Sequence, residues 1–488
     1  MQTPSTDGAT DGVSDYPVTL SAKEAHGFVT NYFGDVDLGH KSRNACFCRV
    51  AQQIGRHPGG SLPEKLSDPN DYIAMDRLMN RAEVTHTQVL APHRRRTLEK
   101  MQAHAGVVLI LHDTTVLDYS GKKALGLSAV GNGHGSGYLC HNSLAVDPER
   151  RDVFGLVSQI LHRRVAVSKK EGVKRKRERR TRESRLWSRA VWQAPAAPAG
   201  KRWVDVCDRG ADIFEFLATE QRLGRQCVVR SAHNRSVRIG HDGHGAKVLL
   251  HDWLRTLPAT GATRAKEIYD RRLEKERTAT LRVSYHAVTV QPPHVKKGEY
   301  ENAPIAAWAV RVWEETAPAK GADLEWFLIC LDPVTTPAAA WEKADWYSCR
   351  WMEEEYHKAQ KTGCGIEDLQ FRTEQALQPM IALLSVTAVM LLNLRQAARR
   401  PDAPQRPATE VVDPVYEEVL RAWRYKKKPR GEMSVYEFYL AVARLGGHMN
   451  RKADGFPGWL TLWRGWQKLE IMVAGTLIER RRRKRIRV

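Results

Sequence analysis

Paired cysteines are missing from this 488-residue chain. It has eight cysteines; the closest two, Cys46 and Cys48, have a single residue between them, and no C-x-x-C occurs. Scattered thiols of this kind point away from a disulfide framework or a zinc finger and toward a reduced, cytoplasmic compartment. A long apolar run is missing too. The longest, "MIALLSVTAVMLLNL" at 380–394, is short for a membrane span and carries Ser, Thr and Asn, so a buried helix is expected and no membrane partner. No secretory signal opens the sequence; residues 1–16 are rich in Thr, Ser, Asp and Gly and read as a disordered tail. There are no internal repeats. Acidic side chains are in short supply: 56 Asp and Glu face 77 Lys and Arg, a formal net charge of +21. With no membrane segment to claim that excess, a nucleic acid is the expected partner.

Hydrophobic residues make up 42% of the chain, which argues against global disorder, and the length suits two to four domains. Residues 17–100 read as a helical domain. "SAKEAHGFVTNYF" has Ser21 as a cap and Glu24 three residues later, and Lys41, Arg43 and Arg49 lie on a helix ended by Gly55. Those bases suit either DNA contact or the exposed face of a small scaffold. From about 101 the pattern changes. "GVVLILHDTT" is an apolar, partly β-branched strand ending in Asp113, and "RWVDVCDRGADIFEFL" is a second ending in Asp208. "GYLCHNSLAVDPERRDVFGLVSQILHRR" reads as two strands about a turn, and "QCVVRSAHNRSVRI" as another strand, with Arg230. The dense charge of "KRKRERRTR" at 174–182 suits a solvated segment or a phosphate contact. Residues 235–335 alternate like a β-rich insert, 336–398 read as helical, and 395–408 form a Pro/Ala/Arg linker. The helical remainder, 399–488, ends in the basic "RRRRKRIRV".

One stretch concentrates chemistry. "WYSCRWMEEEYHKAQKTG", 346–363, has no Pro and no Gly before Gly363 and is expected to be one helix. At about 100° per residue, Tyr347, Arg350, Glu354, Lys358 and Lys361 share a stripe, and Trp351 borders it. Glu353 and Glu355 point about 100° to either side. A solvated face laced with Arg–Glu and Glu–Lys pairs would look the same, each pair contributing a few tenths of a kcal/mol. Carboxylates projecting from two strand ends change the balance. Asp113, Asp208 and Glu354 make three hard oxygen ligands of the kind Mg²⁺ takes, and two such ions can serve an in-line phosphoryl displacement. The bases beside Glu354 would then grip the phosphodiester, Arg in bidentate fashion and Lys as a point charge.

"HDTT", "VCDRGADI" and the spacing Y-x2-R-x3-E-x6-K (Tyr347, Arg350, Glu354, Lys361) followed by "TG" together resemble the insertion-sequence-four family of bacterial DDE transposases, Tn-five type, from about Phe33 to Ile478. The resemblance implies a mixed α/β architecture: an RNase H-like catalytic core over 101–398 interrupted by a β-rich insert at 235–335, with helical domains at 17–100, for DNA binding, and 399–488, for dimerisation and DNA contact. It implies Asp113, Asp208 and Glu354 as ligands for two Mg²⁺, with Mn²⁺ able to substitute. Tyr347, Arg350 and Lys361 would hold terminal phosphates, and Lys358 and Arg230 would touch DNA as well. Trp326 matches the family's base-stacking tryptophan, although a core strand aromatic fits that position equally, and Trp351 could line the same pocket. Where the Tn-five type has a lysine, Ala232 stands here. The activity implied is cut-and-paste transposition by a homodimer acting on transposon ends and target DNA in a bacterial, nucleoid-associated setting. A catalytically idle DNA-binding inhibitor derived from such an enzyme is the alternative. A glycosidase built on a carboxylate pair would need neither the charge nor the Lys/Arg stripe.

Overall fold

The structure, a computed structural model, describes residues 22–486 apart from 67, 122–125, 132, 166–171, 173–178, 180, 262, 271–274, 294–302, 317–323, 426–430, 452–453 and 455. The tail at 1–16, the cap at Ser21 and most of the 174–182 segment lie outside the described residues.

Five helices come first: α1 (Ala22–Phe33), α2 (Lys41–Arg56), α3 (Leu62–Lys65), α4 (Pro69–Met79) and α5 (His86–Ala103). Their starts follow local chemistry. The His40 side chain accepts the Ser42 N–H at the head of α2; Asp68 caps α4, with Pro69 at its first position; and Thr85 and Gln88 form a reciprocal capping box on α5. Phe47, Val50, Ala51 and Ile54 make the buried stripe of α2, which runs one residue past the expected stop at Gly55.

The centre is a mixed sheet. Its first half comprises β1 (Val108–Asp118), β2 (Ser128–Val130), β3 (Gly135–Val146), β4 (Val153–His162), β5 (Trp203–Cys207) and β6 (Gln226–Arg230). β4, β3, β1, β5 and β6 lie side by side in that order. β3 is antiparallel to β1 and to β4, whereas β1, β5 and β6 are parallel. This order and these directions are compatible with an RNase H-like core. Helices α6 (Leu186–Gln193) and α7 (Phe214–Arg222) supply the crossovers between parallel neighbours.

The second half contains β7 (Ser236–Ile239), β8 (Lys247–Leu249), α8 (Leu250–Thr256), β9 (Arg264–Asp270), β10 (Lys275–Val290), β11 (Ile305–Glu314) and β12 (Glu325–Cys330). This is the β-rich region, and it is continuous with the core: β12 pairs with β6 through Leu328–Arg230, Ile329–Val229 and Cys330–Val228. The "QCVVRSAHNRSVRI" segment is two strands, not one, because β6 pairs with β12 whereas β7 pairs with β10.

Three of the remaining helices matter to the site. α9 (Pro337–Cys349) and α10 (Trp351–Lys358) carry the charged stripe, and α11 (Glu374–Ala397) is the apolar helix. α11 is long and apolar enough to cross a membrane, but 88% of its most apolar window is buried inside the protein. It packs against α4, α5, β4 and α10 and so joins the N-terminal helices to the core. Beyond it, α12 (Pro414–Arg424), α13 (Val435–Leu445) and α14 (Trp459–Ile486) close over Tyr416, Leu420, Phe438, Val442 and Leu469.

Candidate metal and DNA site

β1 does not stop at Asp113. It continues through Thr114–Asp118 because those residues stay paired with β3, Asp113 opposite Asn142. What ends there is the parallel ladder. The last β1–β5 pair is His112 with Cys207, so Asp113 and Asp208 are the next residues on two neighbouring strands. The carboxyl ends of parallel strands are where α/β sheets open a crevice. Asp113 Oδ1 accepts the Thr114 N–H at 2.8 Å, and Asp208 Oδ1 accepts the Gly210 N–H at 3.0 Å. Burial, with Asp208 adding like charge, pushes Asp113 up to about 6; burial also raises Asp208.

Gly210 lets the chain turn under a wall. A Cβ there would lie 2.3 Å from the ring of Trp187, itself 9% exposed on α6. Gly210→Ala should therefore cost about 1–3 kcal/mol of stability through overpacking. Gly458→Ala, with nothing within 4 Å, should be close to neutral. Thermal unfolding of the two variants checks the difference.

The 346–363 stretch is not one regular helix. At the α9–α10 junction the Arg350 N–H bonds to Tyr347 O, three residues back, a tightened turn. After Lys358 the chain widens into a π-type turn, Ala359–Gly363, where the Cys364 N–H reaches Ala359 O. A wheel at fixed angle drifts across two such changes. Near its centre the directions still separate the three glutamates. Glu353 is fully buried and its pKa is driven well up by that burial. Glu355 is buried against Arg395 of α11. Glu354 is more exposed, its side chain at 28%, and reaches toward the aspartates.

Arg350 makes the connection. Its Nη1 donates to Asp113 Oδ2 at 2.9 Å and its Nη2 to Glu354 Oε1 at 2.8 Å. Burial opposes the guanidinium charge, but Tyr347, Asp113 and Glu354 outweigh it and hold its pKa above the ordinary value.

The other sequence candidates fall into groups. Tyr347 is 5% exposed, edge-on to Trp326 (centroids 5.2 Å apart), with Arg230 over its ring at 5.9 Å. Trp326 also has Lys266 over its face at 5.7 Å and lines a cavity of about 670 Å³ with Arg264, Trp341 and Trp346. Lys361 pairs with Glu367 at 3.1 Å, and Lys358 lies 3.4 Å from Glu355 and 5.6 Å from the exposed Trp351 ring. Ala232 gives its N–H to the buried Asp212. In the N-terminal helices, Arg49 pairs with Asp71 at 2.6 Å and Arg43 donates to Leu38 O and pairs with Glu83, so both are partly committed to their own fold; Lys41 is exposed.

Sequence reasoning missed the layer behind Asp113. Asn142 Nδ2 donates to His357 Nε2 at 3.1 Å and Asn142 Oδ1 accepts from Gln159 at 2.7 Å. Gln159 also bonds His86 and Ser385. Five elements, β3, β4, α5, α10 and α11, are thus pinned behind one aspartate. Burial pushes His357 down to about 3, so it is neutral and can accept. The available signal was "CHNS" at 140–143, polar residues inside an otherwise apolar strand.

Asp113, Asp208 and Glu354 offer hard oxygen donors, and two of them are held above their ordinary pKa by burial, a cost that a divalent cation relieves. That donor chemistry fits Mg²⁺. Among the described residues no three His, Cys, Asp or Glu side chains stand close enough to share one ion in this arrangement, in which Arg350 lies between Asp113 and Glu354.

No family model matches the sequence. Among solved structures the chain is similar to a piggyBac transposase synaptic complex with hairpin DNA, with 9% identity and a TM-score of 0.29 over 78% of this chain. It spans 66% of that chain. Likeness at that level carries no argument, so function rests on the residues themselves.

Proposed function

We propose that this protein is a DDE-type DNA transposase of the insertion-sequence-four family, Tn-five type, built on an RNase H-like core. The observation that carries the reading is the convergence of chemistry from distant sequence: Asp113 and Asp208 follow the last pair of adjacent parallel strands, and Glu354 is tied to Asp113 through Arg350. Two Mg²⁺ held by these carboxylates would activate the attacking oxygen and stabilise the leaving one. The residues of the chain orient the DNA. Arg350, Lys358 and Lys361 grip phosphates beside the cleavage point. Trp326, set edge-on to the buried Tyr347, would offer the face against which an extrahelical base stacks, offsetting the few kcal/mol that flipping costs. Nicking, hairpin formation, hairpin opening and strand transfer are all phosphoryl displacements that one such site can run in sequence. Two copies would each hold one transposon end.

A nicking assay on DNA from the terminal repeats, with and without Mg²⁺, tests the reading. Metal-dependent nicks at the repeat boundary are expected. Binding without nicking by the intact protein would favour an idle DNA-binding derivative instead.

The charge predicts a salt response. Binding should weaken with a log–log slope of about −0.9 per neutralised phosphate. α14 carries the basic tail as helix to Ile486, and there Arg480 pairs with Glu418 and Arg482 and Arg483 with Glu479. Truncation before Arg480 should flatten the slope without altering sequence preference; an unchanged slope makes the tail a solvated helix end.

A further inference from the structure

We propose that Arg350 is a gate on metal entry: it holds Asp113 and Glu354 as an internal counter-cation until a DNA phosphate draws it away, so that metal binding at the carboxylates depends on DNA. This rests on the reading of the site as a metal-dependent DNA enzyme and adds a regulation to it.

The gate rests on geometry. One guanidinium spans two carboxylates from different parts of the chain, with a separate nitrogen for each, at 2.9 and 2.8 Å. Those oxygens face the guanidinium, the direction in which a shared metal ion would have to lie. A divalent cation entering there would meet a fixed positive charge at close range, in a site where Arg350 is only 17% exposed and solvent screens little. Metal and guanidinium therefore compete for the same two carboxylates.

The gate also has a way to open. Arg350 occupies the tightened turn joining α9 to α10, so its side chain sits at a joint and not inside a continuous helical ladder. Arginine binds phosphate in the same two-pronged manner as carboxylate. Lys358 and Lys361 on the following turns, and Arg230 across the Tyr347 ring, provide the positive surroundings that would bring a phosphodiester to this place. When DNA arrives, the guanidinium exchanges carboxylates for phosphate, and the carboxylates exchange the guanidinium for metal. Coupling of this kind is reciprocal: DNA tightens metal binding by the factor by which metal tightens DNA binding. It would keep a potentially damaging nuclease from being charged with metal before it has engaged a substrate.

The test is a Mn²⁺ titration of the full-length protein followed by electron paramagnetic resonance, with and without a duplex taken from the terminal repeats. For the wild type, duplex should tighten Mn²⁺ binding about tenfold or more. Arg350→Gln should bind Mn²⁺ without duplex about tenfold more tightly than wild type does and should lose most of the gain from duplex. Arg350→Lys, which retains a positive charge, should stay closer to wild type. Asp113→Asn in the Arg350→Gln background should remove the tight binding and so assign it to this site. Melting curves identify any variant that fails to fold, and the Lys variant then carries the comparison. If the wild type binds Mn²⁺ equally well with and without duplex, and Arg350→Gln changes neither, the gate is wrong while the metal site stands. If neither protein binds Mn²⁺ even with duplex, the metal-dependent reading itself falls.

Discussion

Glu354→Gln should abolish strand cleavage in Mg²⁺ while leaving DNA binding in place. The substitution keeps the volume and the hydrogen bonds but removes an anionic ligand, and a loss of about 10³-fold is the scale for removing a group that stabilises charge in the transition state. Its neighbours provide the controls. Glu353 is buried and its pKa is driven up by that burial, so Glu353→Gln keeps the shape of a group whose charge the site disfavours and should retain most activity. Glu355 is the buried partner of Arg395, and Glu355→Gln leaves that cation uncompensated at a cost of about 3–5 kcal/mol. It should therefore lose thermal stability yet still nick DNA at temperatures where it is folded. Single-turnover nicking alongside melting curves separates the three outcomes. A Glu355→Gln protein that is folded, binds DNA and is as inactive as Glu354→Gln would sink the assignment of Glu354 as the ligand.

An equally large loss of stability is expected at Arg225. Its Nε and Nη2 donate to the two oxygens of Asp205, at 2.8 and 3.2 Å, while Asp205 Oδ1 also accepts from His112 Nε2 at 2.8 Å. Asp205 and His112 are completely buried, as is Glu220, which lies 4.0 Å from Arg225 Nε. Arg225→Leu strands Asp205 among apolar strands and should cost about 3–5 kcal/mol, whereas Arg225→Leu combined with Asp205→Leu should regain much of it. Chemical denaturation of the single and double variants measures this. The pH response has a definite sign. Burial alone would raise Asp205, but Arg225 and His112 outweigh it and hold its pKa below 3.8. The stability it contributes is therefore present above its ordinary pKa and is lost as pH falls through the lowered value. A double variant no more stable than the single one would show that the carboxylate was not the source of the cost.

The strands bearing Asp113 and Asp208 were legible because an apolar, β-branched run is a local pattern, and the relative directions of Glu353, Glu354 and Glu355 were legible because one helical turn spans all three. What failed lay beyond local pattern. The sequence gives no cue that Arg350 sits in a tightened turn or that 359–363 widens, because neither stretch carries a Pro or Gly before Gly363 to mark the change. The pairing of β12 with β6 joins residues about a hundred positions apart, and no period encodes it. Arg43 and Arg49 read as free bases from their spacing on α2, but their partners Glu83 and Asp71 belong to other segments. The polar layer of Asn142, His357 and Gln159 drew no attention because a buried hydrogen-bond network depends on who meets whom, and composition is silent on that.

The join between β6 and β12 has a consequence for solubility. Were the core to end at β6, the backbone N–H and C=O groups along Val228 and Val229 would form an open sheet edge, flanked by apolar side chains and ready to take a strand from another copy of the chain. β12 fills that edge from within the same molecule. This β-rich region thus guards an edge, and a chain trimmed of residues 236–330 would be expected to precipitate or polymerise strand to strand even if Asp113, Asp208 and Glu354 were all retained.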